Sequence, residues 1–310
     1  MARRLTSFQT LALWTTGTTY FLILVGGLVR ASGAGLGCPD WPRCFGLWVP
    51  PMSVSELPVG FEISQFNPTL MWTEYLNRLL GVTVGFLIFA TLVSAWRHHR
   101  TTPRILWPTC AAFVLVGVEG WLGGVVVQND LAAWIVTVHL LVALVIVSLL
   151  LYATLYTFFA AGAAPPPQGT LRRPLTWSAL GLILLTLAQV TLGAQVREGV
   201  DAALDAGAAR GEALGTVGSY DMWHRDAAVL VLAGMLLTLW LVHRRHRRDL
   251  ALIRAAYLTG ALVAVQICLG LTMAYLTLTP YAQVAHLSGS SLLLGAETVL
   301  FLLARWLPSE

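Results

Sequence analysis

Three of the seven histidines lie where an imidazole is expected to have a partner. Each falls in a long apolar segment, within the first two turns after a polar loop: His139, His224 and His286. A polar side chain in that setting is costly unless it is paired or binds a ligand. Three such histidines at corresponding depths therefore predict ligands rather than isolated structural residues. The other four lie among arginines at the ends of apolar segments, as is typical of a membrane interface: His98, His99, His243 and His246.

Two of these histidines begin different apolar segments, so they can face each other. Zinc and copper sites favour clustered ligands that often include Cys or carboxylate. One imidazole from each of two helices is instead typical of a haem iron. The sequence therefore predicts that His224 and His286 bind a haem, with Arg225 placed to pair with a propionate. Small residues that would let a flat macrocycle lie close to the helix backbone are Gly193, Gly270 and Gly289.

The chain contains two similar halves. His139 and His286 are 147 residues apart, and the same spacing relates other polar positions in three different apolar segments. The pairs with that spacing are Asn77 and His224, Glu74 and Asp221, and Glu119 and Gln266. GGLVRASGAGL at 26–36 also resembles GAQVREGVDAAL at 193–204, at a larger spacing because the loop that follows is longer in the first half. This pattern indicates an internal repeat of four segments.

The first half has the same frame but a different set of ligands. His139 is present, whereas the position that corresponds to His224 holds Asn77, whose amide is a poor iron ligand. Arg78 follows Asn77 and is expected at the same site. Glu74 lies one turn before Asn77 on the same helical face, and a carboxylate within the membrane is a functional candidate by default. The alternative is an ion pair between Glu74 and Arg78.

The elements that position these residues are membrane helices. Hydrophobic residues make up 57% of the 310 residues and charged residues 11%, with a mean hydropathy of +0.72, whereas soluble domains carry about 25% charged residues. The sequence predicts an all-α integral membrane protein, with two four-helix bundles related by a pseudo-twofold axis. Within them Glu119 is interpreted as a structural polar residue. Apolar segments long enough to cross the bilayer are 10–29, 69–96, 105–127, 133–160, 175–196, 222–243, 251–277 and 282–306.

The 19 basic residues are all arginines and alternate between the two sides of the membrane. Their excess in one set of short loops places both termini in the cytoplasm by the positive-inside rule, so the basic charge is not a nucleic-acid footprint. Cys38 and Cys44 then lie in a loop on the outer face of the cell membrane. That side is oxidising, which favours a disulfide; free thiols or metal ligands are the weaker alternative, because no histidine lies in that loop.

The predicted domains are an amino-terminal bundle, 1–161, a cytoplasmic linker, 162–174, and a carboxy-terminal bundle, 175–310. The linker carries three consecutive prolines. A second long loop, 197–221, is rich in Ala, Gly and acidic residues and is predicted to be mobile.

The sequence resembles the heme A synthase family, which consists of membrane enzymes that convert heme O to heme A. The similarity covers nearly the whole chain and includes GGLVRASGAGLGCPDWPRC after the first segment and TEYLNRLLG in the second. It also includes VHL at His139, WHR at His224 and AHL at His286.

The resemblance implies a role for each matching residue. His224 and His286 match ligands of a permanently bound heme b, and His139 matches a ligand of the substrate haem, heme O. Glu74 matches a glutamate considered essential for chemistry, which oxidises the methyl at ring position eight to a formyl group through successive hydroxylations. Asn77 departs from the common pattern, in which many relatives have His.

Other functions predict other features. A diheme electron carrier or haem sensor without turnover would need two complete histidine pairs, and Asn77 argues against that. A transporter would need spans interrupted near the midplane. Expected partners are the lipid bilayer, an electron donor that the sequence does not identify, and a heme O synthase that transfers substrate. The sequence leaves open whether the chain forms a homo-oligomer.

Overall fold

The computed structural model describes residues 4–160 and 173–306, and these residues form eight long helices without a β-sheet. All eight are long and apolar enough to cross a membrane, which confirms the prediction of an all-α, multi-pass membrane protein. The helices are α1 (Ser7–Ala31), α2 (Pro68–His99), α3 (Pro103–Gln128), α4 (Ala133–Ala160), α5 (Arg173–Asp205), α6 (Ser219–Arg245), α7 (Leu250–Tyr275) and α8 (Pro280–Trp306).

The first two helices begin at strong local signals. The Thr6 hydroxyl accepts a hydrogen bond from the backbone N–H of Gln9 at 3.2 Å, and the Gln9 side chain accepts from the Thr6 N–H at 3.0 Å. Asn67 caps α2 by accepting from two backbone N–H groups of its first turn at 3.1 and 3.2 Å. Pro68 occupies the first helical position, where its missing N–H is not needed. These caps fix where the chain enters the bundle.

Helix α5 is longer than predicted. It continues past residue 196 to Asp205, so the predicted loop 197–221 begins as helix. Arg197 and Asp201 form an ion pair one turn apart, with Nη2 and Oδ1 separated by 2.7 Å, and alanine is the strongest helix former. The Ala-rich composition that suggested a mobile loop therefore extends the helix instead.

The chain divides into two compact units between Leu150 and Leu151, within α4. The predicted linker 162–174 lies mostly outside the described residues, so the predicted domain bounds stay predictions, as do the pseudo-twofold relation and the cytoplasmic termini. The buried core of the first unit includes Val84, Ile88, Ala112, Ile146 and Leu150, with Leu22 packed against it. That of the second unit includes Leu182, Met235, Leu252, Val263 and Leu300.

The segment between α1 and α2 folds onto α2. Cys38 and Cys44 form the predicted disulfide, with Cα atoms 4.8 Å apart. Both cysteines are fully buried with Phe45 and Met71. Gly37 lies so close to the backbone of α2 that a Cβ there would collide with it. The loop therefore forms a packed part of the first unit.

Candidate functional site

In the second unit, His224 of α6 and His286 of α8 lie face to face. Their ring centroids are 6.2 Å apart, and the ring planes make an angle of 73°. An imidazole nitrogen binds a metal at about 2 Å, so this gap suits two rings on opposite sides of one iron. The Nδ1 atoms of both rings are buried, and the His224 and His286 rings lie next to the backbone of Gln189 and Gln266 respectively. The pair fits the bis-histidine haem site predicted from the sequence.

Two glycines make room for these rings. A Cβ at Gly193 of α5 would lie 3.1 Å from Cε1 of His224, and one at Gly270 of α7 would lie 3.8 Å from Cε1 of His286. The first distance is shorter than an ordinary contact, so a side chain at position 193 would displace the ring. Both glycines were predicted to lie near the macrocycle.

Arg225 has protein partners in this structure. Its Nη2 lies 2.7 Å from Oδ2 of Asp221, and its Nη1 donates to the Tyr275 hydroxyl at 3.3 Å. The side chain remains 41% exposed. The predicted contact with a propionate therefore stays a prediction, and it would compete with Asp221.

In the first unit, the four residues predicted for the substrate site line one cavity of about 160 Å³. The cavity is smaller than the pockets of about 300–1,000 Å³ that enclose small molecules, so a bound macrocycle must displace part of the lining. Its full lining is Val29, Arg30, Gly35, Trp41, Glu74, Asn77, Arg78, Gly123, Val126, Val127, Leu131, Val136 and His139.

Asn77 leaves open space where the second unit has a ring. Its Oδ1 is buried and has no hydrogen-bond partner among the described residues. Gly26 of α1 occupies the sequence position that corresponds to Gly193, yet a Cβ there would meet no atom within 4 Å. Among the described residues, His139 is the only imidazole that lines the cavity.

Glu74 and Arg78 connect the cavity to the disulfide loop. Glu74 is buried; its Oε1 pairs with Arg78, and its Oε2 accepts a hydrogen bond from the backbone N–H of Cys38 at 2.7 Å. Arg78 donates to the carbonyls of Asp40 and Arg43 at 2.7 and 2.8 Å. The ion pair considered as an alternative is therefore present, and the same carboxylate lines the cavity.

Sequence reasoning missed the contact between Glu119 and His139. Oε2 of Glu119 on α3 lies within hydrogen-bond reach of Nδ1 of His139 on α4. The signal was available, because the two helices form a hairpin with a short turn.

Sequence reasoning also missed Trp41, which lines the cavity from the disulfide loop. Its indole lies against α3: a Cβ at Gly124 would lie 2.8 Å from Cδ2 of Trp41. Its position between the two cysteines was the available signal, since a disulfide loop that packs on the bundle brings its side chains to the site.

Comparison with known proteins assigns the family. A family model described as cytochrome oxidase assembly protein, COX15-CtaA, matches residues 9–298. A heme A synthase of Allorhizobium ampelinum is 25% identical over 328 residues, covering 89% of this chain and 84% of that protein. A heme A synthase of Sinorhizobium medicae is 27% identical over 342 residues, covering 93% and 85%. The family resemblance found in the sequence is thus confirmed, and the chain belongs to the COX15-CtaA family of cytochrome oxidase assembly proteins.

Proposed function

We propose that this chain is a heme A synthase, an oxidoreductase that takes heme O as substrate and releases heme A. The observation that carries the proposal is the chemical difference between the two units. The second unit has two facing imidazoles 6.2 Å apart, whereas the first has one imidazole and one amide on the lining of a cavity. A closed pair of ligands suits a resident cofactor, and an open position suits a substrate that must enter and leave.

The resident cofactor is heme b, held by His224 and His286. When bound, it supplies one-electron transfer, which an oxidation of heme O requires. The residues of this chain hold and orient it: Gly193 leaves space for one ring, and Arg225 lies at the end of α6 where a propionate would need a cation.

The substrate, heme O, would be held through His139, with Asn77 on the lining of the same cavity. The chemistry is oxidation of the methyl at ring position eight to a formyl group by successive hydroxylations. Glu74 is the catalytic candidate, because its carboxylate is the acidic group among the cavity-lining residues. Arg78 holds that carboxylate and the disulfide loop in place.

The proposed setting is the cell membrane, with the disulfide loop on the outer face and both termini in the cytoplasm. Heme O would then be supplied by a heme O synthase in the same bilayer. A separate electron donor is also required.

Co-expression tests this function. A host that makes heme O but no heme A is given the chain together with a heme O synthase, and extracted haems are separated by chromatography. We expect heme A to appear only when the chain is present. Purified protein that carries haem while the host accumulates heme O alone would contradict the proposal and favour an electron carrier or haem sensor.

A further inference from the structure

We propose that Glu119 is a positioning residue for the substrate haem. It holds Nδ1 of His139 and makes this histidine a stronger iron donor than either histidine of the second unit. The inference rests on the proposed function, because it takes His139 as the ligand of heme O.

The contact joins the two helices of one hairpin. Glu119 lies on α3 and His139 on α4, roughly 14 Å and 9 Å from the helix ends that flank the short turn between them. The carboxylate is buried, with its side chain 11% exposed, whereas the imidazole is 40% exposed. The pair therefore has a buried acidic end and an accessible imidazole end, and the imidazole lines the cavity.

The same contact selects which nitrogen is free. Nδ1 is engaged by Glu119, and Gly123, one turn further along α3, lies beside Cε1: a Cβ there would be 3.9 Å from that atom. One edge of the ring is thus held against α3. Nε2 is the nitrogen left for iron, which is the usual arrangement when the other nitrogen donates to a carboxylate.

The corresponding position of the second unit lacks this acceptor. Gln266 occupies it, 8% exposed, and its amide lies against Gly289 rather than against a ring nitrogen. The His286 ring has the backbone of Gln266 as its neighbour, which offers a neutral carbonyl rather than a carboxylate. The two units therefore differ in the number of histidines, and also in the group that lies beside the corresponding histidines His139 and His286.

The difference has a chemical consequence. A histidine that donates to a carboxylate becomes a more basic ligand, and hydrogen bonding around an axial ligand is one way in which a protein tunes haem iron. A single, strongly donating histidine can retain heme O without a second imidazole opposite. It also favours the oxidised iron, so the reduction potential of the haem at His139 should be lower with Glu119 than without it.

Resonance Raman spectroscopy of the reduced, full-length protein loaded with heme O tests this role. The stretching vibration between iron and a single histidine reports the donor strength of His139 and requires no turnover. In Glu119→Gln we expect this vibration to move to lower frequency, and heme O to bind about 10- to 100-fold more weakly. Glu119→Asp keeps a carboxylate and should fall between the two.

Two controls separate the role from a general loss of structure. Gln266→Asn changes the corresponding residue of the second unit and should leave the vibration unchanged. Each variant should also keep the low-spin spectrum of the second unit, which serves as a control for folding. If Glu119→Gln loses that spectrum, the vibration and the heme O affinity of Glu119→Asp are compared with those of wild type instead. A vibration and an affinity that match wild type in both Glu119 variants would overturn the proposal, as would an equal shift in Gln266→Asn.

The proposed function is judged separately, from heme A production. Wild-type protein that binds heme O through His139 and shows the Glu119-dependent shift, yet makes no heme A, would contradict the function and leave the positioning role intact. Heme O binding that is unchanged in His139→Ala would overturn the positioning role itself.

Discussion

Asn77 is the residue at which the two units differ most in ligand chemistry. Its amide lines the cavity and its Oδ1 has no hydrogen-bond partner among the described residues. A water molecule bound to iron could be held by that oxygen, whereas an imidazole at the same position would bind the iron directly. Under the proposed function, this residue would decide whether the substrate haem has a labile position.

Replacing Asn77 with His should restore a pair of ligands in the first unit. We expect Asn77→His to hold heme O and heme A more tightly and to gain low-spin character in the electron paramagnetic resonance spectrum. Turnover should fall because product release slows. Binding and spectra identical to wild type would mean that residue 77 does not face the iron; Asn129→His, outside the cavity lining, is the matched control.

Glu74 makes two kinds of contact in the structure. It lines the cavity, and its carboxylate accepts a hydrogen bond from the backbone of the disulfide loop. Glu74→Gln keeps an acceptor for the Cys38 N–H but loses the charge that pairs with Arg78. We expect heme A production to fall by about a hundredfold or more, as for loss of a positioned proton-transfer group, while the heme b content stays unchanged.

Glu62→Gln, which changes an exposed carboxylate of the same loop, is the control and should make normal amounts of heme A. Normal heme A production by Glu74→Gln would show that Glu74 takes no part in the chemistry and serves only as the ion-pair partner of Arg78.

At the scale of elements, the close approach of helices sets where a ring can lie. A Cβ at Gly193 would be 3.1 Å from the His224 ring, whereas one at Gly26 has open space. We expect Gly193→Ala to lower heme b content or distort its low-spin spectrum, while Gly26→Ala leaves both unchanged. Absorption spectra and haem extraction measure this. Full heme b content with an unaltered spectrum in Gly193→Ala would contradict the assigned ring position.

The disulfide loop is the other element with a testable role. Trp41, between the two cysteines, packs on α3 and lines the cavity. Replacing Cys38 and Cys44 with Ser should therefore lower heme A production more than haem content, because the loop packs at the cavity of the first unit. Heme A production in the double variant equal to wild type would show that the bridge is dispensable for the site.

Much of this architecture follows from the sequence because membrane spans have a simple signal. The lengths of the hydrophobic segments predicted all eight helices. The main error was the predicted end of α5, because alanines and the Arg197–Asp201 pair extend that helix. The positions of His224 and His286 at the start of two apolar segments predicted that they could face each other, and their rings lie 6.2 Å apart. The link between Glu119 and His139 depends on how two helices rotate against each other, which spacing alone does not specify.

At the scale of the whole molecule, two units of related sequence support unlike sites. The second has paired imidazoles, and the first has one imidazole beside a carboxylate, with the Asn77 amide on the lining of the same cavity. Two units of related sequence could thus serve different purposes, one binding a resident haem that transfers electrons and the other binding an exchangeable substrate haem. The proposed function therefore requires that the two haems have unlike ligands.

Electron paramagnetic resonance of oxidised protein loaded with heme b and heme O tests that claim most directly. We predict one low-spin bis-histidine signal, which is lost in His224→Ala and in His286→Ala, and a second, different signal, which is lost only in His139→Ala. Two bis-histidine signals in the wild-type protein, or a low-spin signal that survives both His224→Ala and His286→Ala, would contradict the account.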